Sequence, residues 1–255
     1  MSSDANSTPT RGSLRLAPNV EEFEEHKRRV PRQFVNFTFY RARPEWRLLV
    51  ADEKHDCKRD FITAVEDFRS QLLIHTYSTI GLRTSADFMI WRIGCELDPM
   101  QDMTARLNQT AMAKYVEPTH SLLSMTKRSM FIGTECADTE ESHTHVVSGD
   151  SEYLFVCPLQ RTREWYARPQ EQRLEMLEEN VRIGSKYRSV RLHTTYSFGL
   201  DDQDFVVAFE TDKPADFLDL FQELRETKAS CFTLRDTPMF TCRRRSLAEC
   251  LDALG

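Results

Sequence analysis

Three short stretches carry side chains that could do chemistry. In FVCPLQRTR, Cys157 stands four residues before Arg161 and six before Arg163. Guanidinium charge near a thiol favours the thiolate, which would serve as a nucleophile or a soft metal ligand. The plainer reading of Cys157 is a small buried hydrophobe. In EENVRIGSKY, Glu178 and Glu179 offer carboxylate oxygens, and Glu179 is a candidate ligand for a hard metal ion. No second or third ligand can be named for it, and a solvated helix face is the competing reading. Asn180 follows, either as a polar residue on that exposed face or as a side chain turned into a pocket. The third stretch is ESHTHV, where His143 and His145 form a His-x-His pair in an acidic loop. His120 and His193 stand alone on predicted strands, where a histidine is more often hydrogen-bonded than metal-bound. The run Arg243–Arg245 reads as a solvated turn, or as a face for an anion or a neighbouring subunit.

The chain has 255 residues, 40% hydrophobic and 29% charged, with a net charge of −6. That balance suits a globular protein and does not suggest nucleic acid as a partner. No apolar run approaches the roughly 20 residues of a membrane helix, and MSSDANSTPTRGS lacks the order of a secretory signal. The expectation is a soluble, cytoplasmic protein with no membrane or nucleic-acid partner. The seven cysteines are odd in number and widely spaced, without a C-x-x-C pair. Reduced, mostly buried thiols are expected rather than a disulfide framework or a structural zinc site.

The elements that must position these residues repeat along the chain. VNFTFYRARPEWRLL and YLFVCPLQRTREWYARP each read as an apolar strand ending in Arg-x-Arg and then Glu-Trp. Glu45-Trp46 and Glu164-Trp165 lie 119 residues apart (164 − 45). ADFMIWRIGCELDPMQDMTARL and QDFVVAFETDKPADFLDLFQEL each read Asp-Phe, strand, Pro-bearing turn and amphipathic helix. Their Asp87 and Asp204 lie 117 apart (204 − 87). Two matches at nearly one offset predict an internal duplication.

In the first half the pattern predicts strand 34–41, helix 44–69, strands 71–79 and 85–94, helix 98–113 and strand 116–126. In the second half it predicts strand 152–159, helix 162–185, strands 187–198 and 203–210, helix 214–227 and strand 230–236. That is β-α-β-β-α-β twice, the ferredoxin-like unit. Two such sheets, each with helices on one face, can close on each other. The fold class expected is α+β: a dimeric α+β barrel formed within one chain. A last helix over 246–254 has Ser246 as N-cap. The expected divisions are 1–30, a disordered tail (1–12) and a short polar helix (19–30); 31–147, the first half with a polar linker; and 148–255, the second half.

The motifs CPLQRTREWY, EENVRIGSKY, SFGLDDQDFVVAFETD and TLRDTPMFTCR, with THSLLSMTKRSMF in the first half, resemble the chlorite dismutase and coproheme decarboxylase family. These are haem proteins of the same double architecture, and the resemblance spans roughly residues 30–250. It implies a haem cofactor, a homo-pentamer and oxidoreductase chemistry. It also places the family's proximal histidine, which ligates iron, at Asn180. It puts the reactive tyrosine of the decarboxylases at Cys157, a propionate-anchoring tyrosine at Phe131, and the distal polar residue near Leu192 with Arg191 one step away. Arg161 and Arg163 fall where basic residues meet propionates. Trp165, Lys127, Arg128 and Ser129 fall at the pocket.

An amide oxygen is a weak neutral ligand that does not replace imidazole on iron. The reading is therefore a family protein with a degenerate haem site, open to a small anionic or porphyrin-like ligand. Two alternatives stand beside it: an active haem oxidoreductase, and a non-catalytic oligomeric interaction protein.

Overall fold

The computed structural model describes residues 31–127, 146 and 148–255. The expected tail and polar helix, most of the linker, and Arg128, Ser129, Phe131, His143 and His145 lie outside the described residues.

Strand β1 (Phe34–Ala42) leads into a 3-10 turn (Pro44–Leu48) and helix α1 (Ala51–Glu66). Strands β2 (Leu73–Ser78) and β3 (Phe88–Gly94), helix α2 (Asp98–Asn108), a 3-10 turn (Ala111–Lys114) and strand β4 (Val116–Met125) follow. The order then recurs. Strand β5 (Tyr153–Arg161), helices α3 (Arg163–Ala167) and α4 (Gln170–Gly184), and strands β6 (Arg191–Tyr196) and β7 (Phe205–Thr211) come next. Helix α5 (Pro214–Arg225), a 3-10 turn (Lys228–Phe232), strands β8 (Thr233–Arg235) and β9 (Phe240–Arg244), and helix α6 (Leu247–Asp252) complete the chain.

The strands are hydrogen-bonded in the order β7-β6-β4-β1-β3-β2-β9-β5, and β5 pairs back onto β7. The sheet is thus a closed antiparallel barrel of an α+β fold, with β8 attached to the end of β5. Closure leaves no free edge among these eight strands. Two seams are short: Met125 with Tyr196 joins β4 to β6, and Tyr77 and Ser78 join β2 to β9.

Both faces of the sheet are buried, so β1 is buried continuously from Val35 to Tyr40 rather than in alternation. Phe37, Phe39, Met89, Trp91, Val156 and Phe240 fill the barrel, with Phe39 and Phe240 stacked at 3.8 Å. Outside, Tyr40, Phe61, Phe88, Ile90 and Met103 pack beneath α1 and α2. Phe155, Ile183, Phe209 and Phe217 pack beneath α4 and α5.

The recurrence extends to individual bonds. Asp87 Oδ2 accepts from the backbone N–H of Ala42 at 2.7 Å, and Asp204 Oδ2 from that of Arg161 at 2.7 Å. The N–H of Arg43 bonds the carbonyl of Tyr115, and that of Thr162 the carbonyl of Phe232. Trp46 sits 6.0 Å from Tyr115, and Trp165 sits 5.7 Å from Phe232. The Asp-Phe and Glu-Trp motifs are therefore structural: each carboxylate ties the hairpin to the first strand, and each indole anchors the turn that follows.

Three expectations are corrected. Helix 44–69 is divided, because Leu49 and Val50 are extended between the turn that buries Trp46 and α1. Helix 162–185 is divided likewise at Arg168-Pro169, where a proline disfavours helical backbone in the residue before it. The strand expected over 230–236 shrinks to β8. The barrel strand at that place is β9, and two of the three arginines read as a solvated turn belong to it. Phe240 and Cys242 alternate into the barrel with no exposure, which draws Arg243 and Arg244 into the ladder.

Candidate functional site

The internal recurrence exposes one asymmetry between helix and sheet. In the first half, Phe61 on α1 is 1% exposed and stands over Tyr40 and Phe88. Ile74 on β2 is 3% exposed. Helix α6 seals that layer with Leu247, Cys250 and Leu251, and the indole Nε1 of Trp46 donates to the carbonyl of Gly255 at 3.0 Å. At the matching places of the second half stand Asn180 on α4 and Leu192 on β6. Leu192 is 54% exposed. Helix α1 buries Cys57, Phe61, Ala64 and Val65, whereas α4 buries Ile183 alone. One half is packed solid; the other is more open at the outer face of β6, where Leu192 is exposed.

Asn180 lies in the layer between α4 and the sheet. Ile183, three residues on and hence on the same helical face, packs with Phe155, Phe209 and Phe217. The Asn180 Oδ1 atom is buried and has no hydrogen-bond partner among the described residues. Arg173 Nε, two turns earlier on α4, is also buried without a partner. Unsatisfied buried polar atoms are few in native proteins.

Strand alternation assigns the residues of β6. His193 and Thr195 are buried, and His193 lies 5.9 Å from Trp91 inside the barrel. Leu192 therefore faces out of the barrel, and Arg191 does not.

Cys157 shares the outer face of β5 with Phe155. It is buried, and its Sγ donates to the carbonyl of Asp236 at 3.2 Å. Burial, reinforced by the Asp236 carboxylate, pushes its pKa up to about 12, so it is a neutral thiol near pH 7. Arg161 is turned into its own half: its guanidinium bonds the Ala229 carbonyl and Thr233 Oγ1 and lies 5.0 Å over the Trp165 ring. Trp165 is buried. Arg163, the first residue of α3, is exposed. Lys127 Nζ lies 5.7 Å from the centre of the Tyr196 ring. Ser129 lies outside the described residues.

Glu179 points away from the layer. Its Oε2 accepts from the backbone N–H of Lys228 at 3.1 Å, beside a shallow cleft of about 350 Å³ shared with Glu175, Arg182 and Lys228. Among the described residues no group of three or more His, Cys, Asp or Glu side chains is arranged to hold a metal ion.

The structure thus places Asn180 on α4 beside the packed Ile183 face, Leu192 on the exposed outer face of β6, and Cys157 buried on the outer face of β5 beside Asp236. It directs Glu179, Trp165 and the Arg161 guanidinium elsewhere. Arg173 is the residue that sequence reasoning missed; its i+7 spacing from Asn180 was the available signal.

Known proteins agree with this architecture. The chain is 31% identical over 182 residues, 70% of this chain and 75% of the relative, to a coproheme decarboxylase of Mycolicibacterium smegmatis. It is 23% identical over 209 residues to the chlorite dismutase of Ideonella dechloratans, covering 80% of this chain and 73% of that one. A crystal structure of a mutant chlorite dismutase from Candidatus Nitrospira defluvii superposes with a TM-score of 0.80 at 24% identity, covering 87% of this chain and 94% of the other. Residues 54–245 match the chlorite dismutase family, and the chain belongs to that family.

Proposed function

We propose that this chain is a chlorite dismutase family protein with a degenerate haem site, one that does not perform the family's haem catalysis. It uses the layer under α4 for a flat, partly anionic ligand. The observation that carries this reading is Asn180, whose buried, unpartnered amide oxygen faces the layer. An amide oxygen donates weakly to iron compared with an imidazole. His193 and His75 flank Trp91 within the barrel, and His120 packs there against Phe39 and Phe240. None of the three supplies an imidazole to the α4 layer. The described residues do not fit a haem held by an axial nitrogen.

Cys157 supports the same reading, because a buried neutral thiol does not offer the phenol chemistry that the resemblance assigns to its position. The ligand class follows from the walls. Leu192, more than half exposed, presents apolar surface to a planar body, and half-buried Arg173 with exposed Arg163 and Lys127 favours peripheral carboxylates. Cytoplasmic location and assembly as a homo-oligomer, a pentamer by resemblance, belong to the same proposal.

The test is an absorbance titration of the purified protein with haem and with coproheme. The unmodified chain is expected to lack a histidine-ligated Soret spectrum. Asn180→His is expected to gain at least tenfold in haem affinity, while coproheme decarboxylation stays absent until Cys157→Tyr is added. Tight stoichiometric haem with an axial nitrogen in the unmodified protein would restore the alternative of an active haem oxidoreductase.

A further inference from the structure

One end of the barrel interior is polar, and the layer under α4 does not use it. The Trp91 ring lies 5.5 Å from His75, 5.9 Å from His193 and 6.5 Å from Tyr77. His193 Nε2 is 3.2 Å from Glu210 Oε2, which also accepts from the backbone N–H of Gly149 at 2.7 Å. Ser148 Oγ bonds His75 Nε2 at 2.5 Å. Tyr77 and Trp91 are 0% exposed and Glu210 is 1% exposed.

Three atoms of this group have no hydrogen-bond partner among the described residues: Tyr77 Oη, Trp91 Nε1 and Glu210 Oε1. Each would carry a desolvation cost if left unmade. Tyr77 adjoins Trp91, and His193 links Trp91 to Glu210, so the three atoms belong to one buried polar cluster. The chemistry of an occupant is constrained. Trp91 Nε1–H only donates, so the occupant must have a lone pair. Glu210 Oε1 only accepts while ionised, so the occupant must have a proton to give. Tyr77 takes either role. An anion is repelled by the Glu210 carboxylate, and an ammonium ion has no lone pair for the indole. A neutral hydroxyl meets all three demands.

We propose that this end of the barrel is a binding site for a small neutral hydroxylic molecule, water or a short alcohol, held by Tyr77, Trp91 and Glu210. Interior waters are ordinary where they bond otherwise unsatisfied buried groups, at about one per 27 residues.

The test is a crystal structure of the full chain near neutral pH, at a resolution that places water, with and without an ethylene glycol soak. A peak within hydrogen-bond distance of at least two of the three atoms is expected. A peak unchanged by the soak identifies water, and elongated density after it identifies an alcohol; either supports the site. An absent peak, or an anomalous or anionic occupant, overturns it. In solution, the Trp91 indole proton is expected to show a nuclear Overhauser contact to a long-lived water or to added glycol. That contact should be lost in a folded Tyr77→Phe or Glu210→Gln variant. Its absence in the unmodified protein would count equally against the site.

Discussion

Asn180 and Phe61 occupy matching places on the two long helices, and the difference between them is testable. Phe61→Ala removes a fully buried ring from a sealed layer and is expected to cost about 3–5 kcal/mol. Asn180→Leu removes an unpartnered buried oxygen. It is expected to stabilise the fold by about 1 kcal/mol. Denaturant midpoints of both variants decide this; a large loss in Asn180→Leu would mean that the amide has a partner in solution. Cys157 yields a second expectation at this scale. Burial holds its thiol neutral, with a pKa of about 12, so little thiolate forms at about pH 8. Cys95 and Cys231 are exposed and should be alkylated by iodoacetamide well before Cys157, as read by peptide mass mapping. Early labelling of Cys157 would contradict its placement.

At the scale of elements, β2 meets the 148–150 segment through a titratable bond. His75 on β2 faces Ser148, and burial, with the Arg244 guanidinium, lowers its pKa below the ordinary histidine value. The unfolded chain therefore binds a proton at higher pH than the folded one. Stability is full above the unfolded histidine value of about 6.5 and falls as pH drops through the window below it. Glu210 acts in the same sense at lower pH. Burial raises its pKa, but the bonds from His193 and Gly149 more than offset this and hold it below the ordinary carboxylate value. Its contribution is thus lost as pH falls through that depressed value. Chemical denaturation at about pH 5 and pH 7.5 should show the folded state weaker at the lower pH, with the difference reduced in His75→Gln. A pH-independent midpoint would remove His75 from the account.

For the whole molecule, closing the barrel satisfies the sheet but leaves apolar side chains outside it. Leu48, Val50, Leu218 and Leu234 are each more than half exposed. Scattered exposed apolar residues are ordinary; with family membership, they motivate the proposed self-assembly. Light scattering at micromolar concentration should return a mass several times that of one chain, five times if the resemblance holds in full. A monomeric mass would end this part of the proposal.

Much of the architecture was legible in the sequence because strand and helix periods are local. Phe37 and Phe39 marked a strand, and the paired Asp-Phe and Glu-Trp motifs, read as a repeat, hold equivalent bonds. Strand β9 was hidden, since Phe240 and Cys242 are too brief a signal beside three arginines, and only pairing with β2 and β5 makes them a strand. The helix break at Leu49-Val50 was hidden for a related reason: it serves the burial of Trp46, a long-range demand. The substitution at Asn180 could be read from one line of residues. That its oxygen is buried without a partner among the described residues, that Arg161 is turned away, and that Leu192 rather than Arg191 faces out of the barrel depend on which faces of distant strands and helices meet. Contacts between residues far apart in the chain have no local signature, so only the tertiary structure decided them.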